Sequence, residues 1–420
     1  MTIDPAIRFP HGDYSRVPYA LYHDRAVYDA EQERIFKGPA WNFLGLEVEI
    51  PKPGDFRTSV IGDTSVVFNR GADGAVHAFV NRCAHRGAQL RREPYGNASD
   101  HTCIYHRWNY DLEGNLVGVP FQRGVNGKGG LSPDFDKRDY GLRKLRVESF
   151  AGILFTTFAD NVESLRDYLG ASITRFLEPR FARPLTVLGY MRQRIFGNWK
   201  FYVENIRDMY HGSLLHEFQA TFGISRVTYT GGTRMDPRHR HNISWGIQGT
   251  EASTAATHKM YKDANLETER LKLRDMAMID YRPEFDDQIS IGICSVFPNA
   301  CFQQIRNSLA ARQVRPRGPD DFDLYWTILG YADDTPDMTR HRLRQSNMIG
   351  PAGFISMEDG EAVEIAHRGV KRDPTAHAVV EMGGKGEISD RDNRVNDVPI
   401  RGFWSYYAEL MGLEPPGAVR

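Results

Sequence analysis

Two short motifs, Cys83-Ala84-His85 and Cys103-Ile104-Tyr105-His106, stand on either side of residues 86–102 and constrain the first third of the chain. The pattern is C-x-H followed by C-x2-H. Each half fits on its own tight loop, and two loop tips can converge on one small metal centre. The surrounding stretch, from about Trp41 to Phe158, has the texture of a scaffold for such loops. Runs such as Thr58 to Phe68, Val76 to Val80 and Gly152 to Phe158 are rich in Val, Ile, Phe and Thr. Turns such as Asp73-Gly74 and Glu113-Gly114-Asn115 separate them, which predicts a small all-β unit. The chain has only four cysteines, Cys83, Cys103, Cys294 and Cys301. A disulfide scaffold of this size would use more, so a reducing cytoplasm is expected, where paired cysteines more often hold metal.

At 420 residues, 41% of them hydrophobic, the chain is too long for one ordinary domain. Lys and Arg number 53 against 54 Asp and Glu, a net charge of −1 that gives no reason to expect nucleic acid or an anionic membrane as partner. Met1 to Pro10 shows no signal peptide, and no apolar run of about 18 residues predicts a membrane span. Tyr28 to Phe36 reads as a short amphipathic helix. Beyond the β unit, Leu185 to Phe196, Ser290 to Phe297, Cys301 to Val314 and Asp323 to Tyr331 read as strands. Trp199 to His216, Asp337 to Asn347 and Phe354 to His367 read as mainly helical. Strands and helices segregated in this way predict an α+β domain built on an antiparallel sheet. The expected organisation is an N-terminal helical segment (1–40), a small all-β domain (41–160) and an α+β domain (161–420), with the boundary near 159 to 180.

Two thiolates and two imidazoles are the ligand set of a Rieske [2Fe–2S] cluster, in which one iron takes both cysteines and the other both histidines. Cys83, His85, Cys103 and His106 supply it. Tetrahedral zinc accepts the same donors, but its Cys and His ligands are usually spaced by about two to four residues, unlike Cys83-x-His85. The histidines raise the reduction potential above that of an all-cysteine cluster, which suits an electron relay.

A second constellation follows: Asn198-Trp199-Lys200, Glu204-Asn205, Asp208-Met209-Tyr210-His211 and His216. His211 and His216 lie about 140° apart on an ideal helix. They meet at one ion only if the helix loosens or ends, for which Gly212-Ser213 offers a place, as a π-type turn. Two histidines and a carboxylate form the facial triad of non-haem Fe(II) oxygenases. The segment Gly350 to Asp359 supplies the acid on a new helix, as Asp359 or its rival Glu358. Asp208 lies three residues before His211 on the same expected helix face, where it can orient the imidazole. An isolated histidine is more often a packed residue, and an acidic run such as Glu358 to Glu364 is usually a solvated face.

In these segments, and in Pro53-Gly54-Asp55-Phe56, Asn81 to Gly87 and Cys103 to Trp108, the chain resembles the large (alpha) subunits of Rieske ring-hydroxylating oxygenases, from about Ser15 to Gly412. It is closest to those acting on aromatic acids: terephthalate, salicylate (5-hydroxylating) and anthranilate. Respiratory Rieske proteins carry two further cysteines where this chain has Ala88 and Tyr105. The resemblance implies one [2Fe–2S] cluster and one Fe(II) per chain, with His211, His216 and Asp359 as ligands of the mononuclear iron. It also implies that Asp208 bonds His106 of a neighbouring chain in a homotrimer or an α3β3 assembly. Electrons would come from NADH through a separate flavin reductase, sometimes with a ferredoxin; no Gly-x-Gly-x-x-Gly places NADH here. The implied reaction is cis-dihydroxylation of an aromatic carboxylate. A 5-hydroxylase-type monooxygenase, or an electron-transfer protein without oxygenase activity, is the alternative. An acid substrate needs a cation. Arg306 and Arg312, read as one strand face with Gln304 and Ser308, and Arg401 are the candidates. Arg312 and Arg401 have counterparts in terephthalate-type enzymes, and Asn205 completes the expected substrate set.

Overall fold

The computed structural model describes residues 3–249, 251–266, 268 and 273–413. Its contacts divide the chain into two compact units: residues 36–165, and residues 1–35 together with 166–420.

The smaller unit is an antiparallel sheet of seven strands. Its order is Asn42–Leu46, Ile153–Thr157, Lys144–Phe150, Val76–Val80, Thr64–Arg70, Asp55–Ile61, Tyr95–Asn97. The apolar run expected at Thr58 to Phe68 is two strands rather than one. Gly62, at a positive φ of 57°, turns the chain so that Ile61 pairs with Thr64. A second sheet of three very short strands, His101–Thr102, Asn109–Tyr110 and Leu116–Gly118, carries the second metal-binding motif. Phe56, Val67, Phe79, Leu90, Trp108, Tyr110, Leu116 and Leu142 form one buried cluster, and Cys83 and Cys103 are packed into it. The thiols therefore face a dry interior.

The larger unit holds another seven-stranded antiparallel sheet, in the order Leu185–Ile195, Phe322–Tyr331, Ser308–Pro316, Ala300–Ile305, Ile291–Val296, Asn242–Gly246, Gly231–Met235. The strand expected at Cys301 to Val314 is a tight hairpin. Arg306, at φ 57°, and Asn307 form the turn, and Ile305 pairs with Ser308. The expected shared face of Arg306, Gln304, Ser308 and Arg312 is thereby lost, because the chain reverses between them. Helices Pro336–Ile349 and Phe354–Val370 follow, joined by Gly350 to Gly353. Gly353 is required there: a Cβ would lie 2.0 Å from the Met348 carbonyl oxygen.

The helix that leads into the second constellation is shorter than its sequence suggests. It runs Trp199–Asn205 and is started by Asn198, whose side chain accepts from the Lys200 N–H (3.1 Å). The N-terminal segment clamps it. Buried Glu31 accepts from Trp199 Nε1 (2.8 Å), Lys200 Nζ (2.6 Å) and Tyr407 Oη (2.5 Å). One turn on, half-buried Glu204 accepts from Tyr22 Oη and Trp404 Nε1, both at 2.6 Å, and desolvation pushes its carboxyl up to about 7.

Candidate metal centres and substrate cavity

The two motifs of the smaller unit fold into matching loops. Cys83 N–H donates to Ala88 O and Gly87 N–H to Cys83 O; Cys103 N–H donates to Trp108 O and Arg107 N–H to Cys103 O. Gly87 (φ 72°) and Arg107 (φ 58°) occupy the equivalent left-handed position in each loop. Both loops thus present a buried sulfur and, two or three residues on, an imidazole. The His85 and His106 rings lie 4.6 Å apart, and the Nδ1 of each is buried without a hydrogen-bond partner. Two thiols within hydrogen-bonding reach of each other and two orphaned nitrogens are the donor set that a Rieske cluster needs. Tyr110 Oη lies 3.2 Å from Cys83 Sγ and accepts from Ala84 N–H, which leaves its own proton for the sulfur. The His85 ring stacks on Trp108 at 4.8 Å.

The second constellation reaches one point by a route different from the expected one. No helix connects its histidines. After Asn205 the chain leaves the helix, and His211–Ser213 forms a single 3-10 turn. His216 stands at the N-cap of the next short helix, Glu217–Thr221. The angular problem of a continuous helix is removed by breaking it twice. Asp208 therefore shares no helix face with His211. It caps the turn instead, accepting from Tyr210 N–H (2.5 Å) and His211 N–H (3.3 Å) while its Oδ2 holds His211 Nδ1 at 3.1 Å.

Asp359 projects from the buried face of helix Phe354–Val370, 4% exposed. Its Oδ1 lies 3.4 Å from His211 Nε2 and 3.1 Å from His216 Nε2, and these three side chains can hold one metal ion. Glu358 takes another position, with Oε2 2.6 Å from His216 Nδ1, on the far side of that ring. Each imidazole thus turns its Nε2 inward and has its Nδ1 fixed by a carboxylate, an arrangement that orients metal-bound histidines and raises their basicity. Neighbouring residues on a helix point about 100° apart, so Glu358 and Asp359 could not both face one ion.

Charge agrees with geometry. Burial would raise the Asp359 carboxyl, but the two imidazoles outweigh it and hold the group well below the usual carboxylate range. Burial likewise opposes charge on His211, yet Asp208 and Asp359 at its two nitrogens push it up to about 10. The acids around these rings call for positive charge, and a divalent cation among the three inward atoms supplies it. Asn205 donates to Asp359 Oδ1 (3.0 Å) and lies 3.3 Å from His211 Nε2, so it touches the trio directly.

A cavity of about 60 Å3 opens over the trio, lined by Met209, Ile291, Ile293, Ile305 and Ile355 with Gln219, Ser225 and Arg312. Arg312 is buried. Nη1 donates to Tyr202 Oη (2.8 Å), the guanidinium lies over the Trp326 ring, and Nε is without a partner. Among the described lining residues it is the only Lys or Arg. Arg401 does not line the cavity; its guanidinium donates to the Gly386 carbonyl (2.8 Å). Arg306 is also turned elsewhere, to Gln248 and the carbonyls of Gly223 and Ile224. The role of Glu358 and the lining by Gln219 and Ser225 had no signal in the sequence beyond the 100° rule.

A Rieske-type cluster site on one unit and a two-histidine, one-carboxylate iron site beneath an apolar cavity on the other define an iron-dependent oxygenase. The sequence matches the Rieske [2Fe-2S] domain over residues 40–129 and the ring hydroxylating alpha subunit (catalytic domain) over residues 183–412. It is 48% identical to the anthranilate 1,2-dioxygenase large subunit of Burkholderia cepacia, over 97% of this chain and 96% of that one. Identity is 43% to the terephthalate 1,2-dioxygenase terminal oxygenase component subunit alpha 2 of Comamonas sp (95% and 96% covered). It is 40% to the salicylate 5-hydroxylase large oxygenase component of Ralstonia sp (96% of each). The crystal structure of naphthalene 1,2-dioxygenase from Rhodococcus sp. bound to indole superposes with a TM-score of 0.77 at 25% identity, over 94% of both chains. The chain belongs to the Rieske ring-hydroxylating oxygenase alpha subunits, oxidoreductases with one [2Fe–2S] cluster and one mononuclear iron per chain. The expected α+β catalytic fold and Rieske domain are both present.

Proposed function

We propose that this chain is the large oxygenase component that adds two cis hydroxyls to a benzoate-type monocarboxylate, with anthranilate the best fit, in the breakdown of aromatic compounds. The observation that carries this reading is the position of Arg312. One guanidinium, buried against Tyr202 and Trp326 and with Nε unpartnered, borders the otherwise mainly apolar cavity that contains the His211, His216 and Asp359 atoms. A single cation fits one carboxylate. A dianion such as terephthalate would need a second, and none is found among the described lining residues.

When bound, the cluster would supply single electrons and the ferrous ion would supply dioxygen activation for hydroxylating the ring. Cys83, His85, Cys103 and His106 hold the cluster in the domain of about 41–160; His211, His216 and Asp359 hold the iron in that of 161–420. Asp208 and Glu358 keep the two imidazoles turned inward, and the isoleucines exclude water from the ring being oxidised. As the family resemblance implies, Asp208 also bonds His106 of a neighbouring chain in a homotrimer or α3β3 assembly. A flavin reductase passes electrons from NADH, with or without a ferredoxin. Among the described residues no helix is long and apolar enough to cross a membrane; four free cysteines accord with a reducing cytoplasm. Arg401 is left with a structural role.

The test is Arg312→Met, assayed on 2-aminobenzoate and its amide. Loss of a charge-assisted pair should raise KM for the acid about 10- to 100-fold and that for the amide less than about threefold. Equal effects on both would discard the anchor. The 40% likeness to a salicylate 5-hydroxylase component supports a second reading, single hydroxylation. Product formed under labelled oxygen decides between them: two labelled hydroxyls mean a dioxygenase, one a monooxygenase.

A further inference from the structure

Strand Ala300–Ile305 carries two adjacent glutamines in opposite circumstances. Gln304 is saturated: Oε1 accepts from Arg180 Nε (2.7 Å) and Nε2 donates to the Ile289 carbonyl (2.7 Å). Gln303, on the other face, is 1% exposed, and neither Oε1 nor Nε2 has a partner. Native interiors rarely leave both ends of an amide unpaired, because each forfeits its bond to water.

The register shows where this amide lies. Ile293 is directly opposite Gln303 on one neighbouring strand and Ala310 on the other. Ile305 is two residues along the same face, and Arg312, opposite Cys301, is the diagonal neighbour. Ile291, opposite Ile305, completes the group. Ile291, Ile293, Ile305 and Arg312 are the sheet residues that wall the cavity over the trio, and Gln303 stands in their midst on their face.

We propose that Gln303 is a specificity-determining residue that reads a neutral hydrogen-bonding substituent, amino or hydroxyl, adjacent to the carboxylate of the aromatic acid. The inference rests on the aromatic-acid reading and deepens it. Diagonal neighbours across a sheet are about 7–8 Å apart at the backbone, so two long side chains can converge on adjacent ring positions. A guanidinium takes the carboxylate. An amide accepts from an amino or hydroxyl hydrogen through Oε1 and donates to a hydroxyl or carboxylate oxygen through Nε2, so it suits both substituents. The nearest sheet side chains on either side, Ile293 and Ala310, offer it nothing. A bare benzoate leaves the amide unpaired and is disfavoured for that reason.

The experiment compares the wild-type holoenzyme with Gln303→Leu. It measures kcat/KM and equilibrium dissociation constants for benzoate, 2-aminobenzoate, 2-hydroxybenzoate and terephthalate, together with Tm. The wild type should favour at least one 2-substituted acid over benzoate by about tenfold or more. In Gln303→Leu that preference should shrink to within about threefold, benzoate constants should hold or improve, and Tm should hold or rise, since an unpaired buried amide is gone. A uniform loss across all four acids, or a fall in Tm with the preference intact, would mean a structural amide and overturn the assignment. If the wild type bound and oxidised benzoate as well as the 2-substituted acids, this inference alone would fail; equal use of terephthalate would also overturn the single-carboxylate reading. If it accepted no aromatic acid, the functional reading would fail with it.

Discussion

Replacing Lys200 with methionine should loosen the catalytic unit and the iron site together. Lys200 and Glu31 have side chains 1% and 0% exposed, and their charged atoms are 2.6 Å apart. Burial pushes the Lys200 ammonium below its usual range, with Glu31 acting against it. Two of the three donors to Glu31, Trp199 Nε1 and Tyr407 Oη, are neutral. Removing Lys200 leaves them to hold a buried carboxylate with no counter-charge. Breaking a buried pair from one side costs about 3–5 kcal/mol. The unfolding constant of this unit should then rise by roughly two to three and a half orders of magnitude. With a urea m-value of about 3 kcal/mol/M, the midpoint should fall by about 1–2 M. Trp199 and Lys200 open the helix that carries Asn205 and leads into the Asp208–His211 turn, so bound iron should fall as well. The check is urea denaturation at pH 7 with iron assay, run on Lys200→Met and on Glu31→Gln/Lys200→Met. The double variant removes the stranded charge and should regain most of the loss. A single variant within about 1 kcal/mol of wild type, or a double variant no better than the single, would refute the reasoning.

Two further outcomes test the smaller unit and the role of Asp208. His101 is buried, with Nδ1 accepting from Arg91 Nε (2.9 Å) and Nε2 3.1 Å from Asn69 Oδ1; burial, aided by the Arg91 charge, pushes it down to about 4. Its folded form takes up a proton later than its unfolded form, whose value is 6.5. Its contribution is therefore full above about pH 6.5 and lost as pH falls toward 4, up to about 3 kcal/mol. Denaturant midpoints of the cluster absorbance should fall more steeply on acidification in wild type than in His101→Gln; parallel curves would dismiss the effect. Asp208→Asn keeps an acceptor for His211 Nδ1, so cluster absorbance and iron content should persist while turnover falls by about a hundredfold or more. Retained turnover would remove Asp208 from electron transfer.

The chain's metal chemistry was legible locally because its donors come in short motifs. Cys83-Ala84-His85 and Cys103-Ile104-Tyr105-His106 each close one loop, so spacing alone restricts the geometry. The rest of the catalytic site was legible in part. His211 and His216 could be named and Gly212-Ser213 does lie in the turn between them, but that turn is 3-10 rather than π-type and the helix before it has already ended at Asn205. Asp208 capping of Tyr210 and His211, in the turn after the helix, has no spacing rule to announce it. Runs of β-branched residues marked strands but hid the reversals at Gly62-Asp63 and Arg306-Asn307, since Arg306 is an unusual residue for a left-handed turn.

What the sequence determined by itself was a mixed sulfur–nitrogen cluster motif, two histidines and a nearby acid, and an α+β body large enough to bury them. Only the tertiary structure decided which acid faces the ion, which arginine reaches the cavity, and that Gln303 rather than Gln304 shares a sheet face with Ile293 and Arg312. Those outcomes depend on sheet register and helix phase. Shifting a strand by one residue exchanges its faces, and stepping one residue along a helix turns a side chain by about 100°. Register and phase are settled by the packing of segments far apart in the chain, here Glu31 against Lys200 and helix Phe354–Val370 against helix Trp199–Asn205.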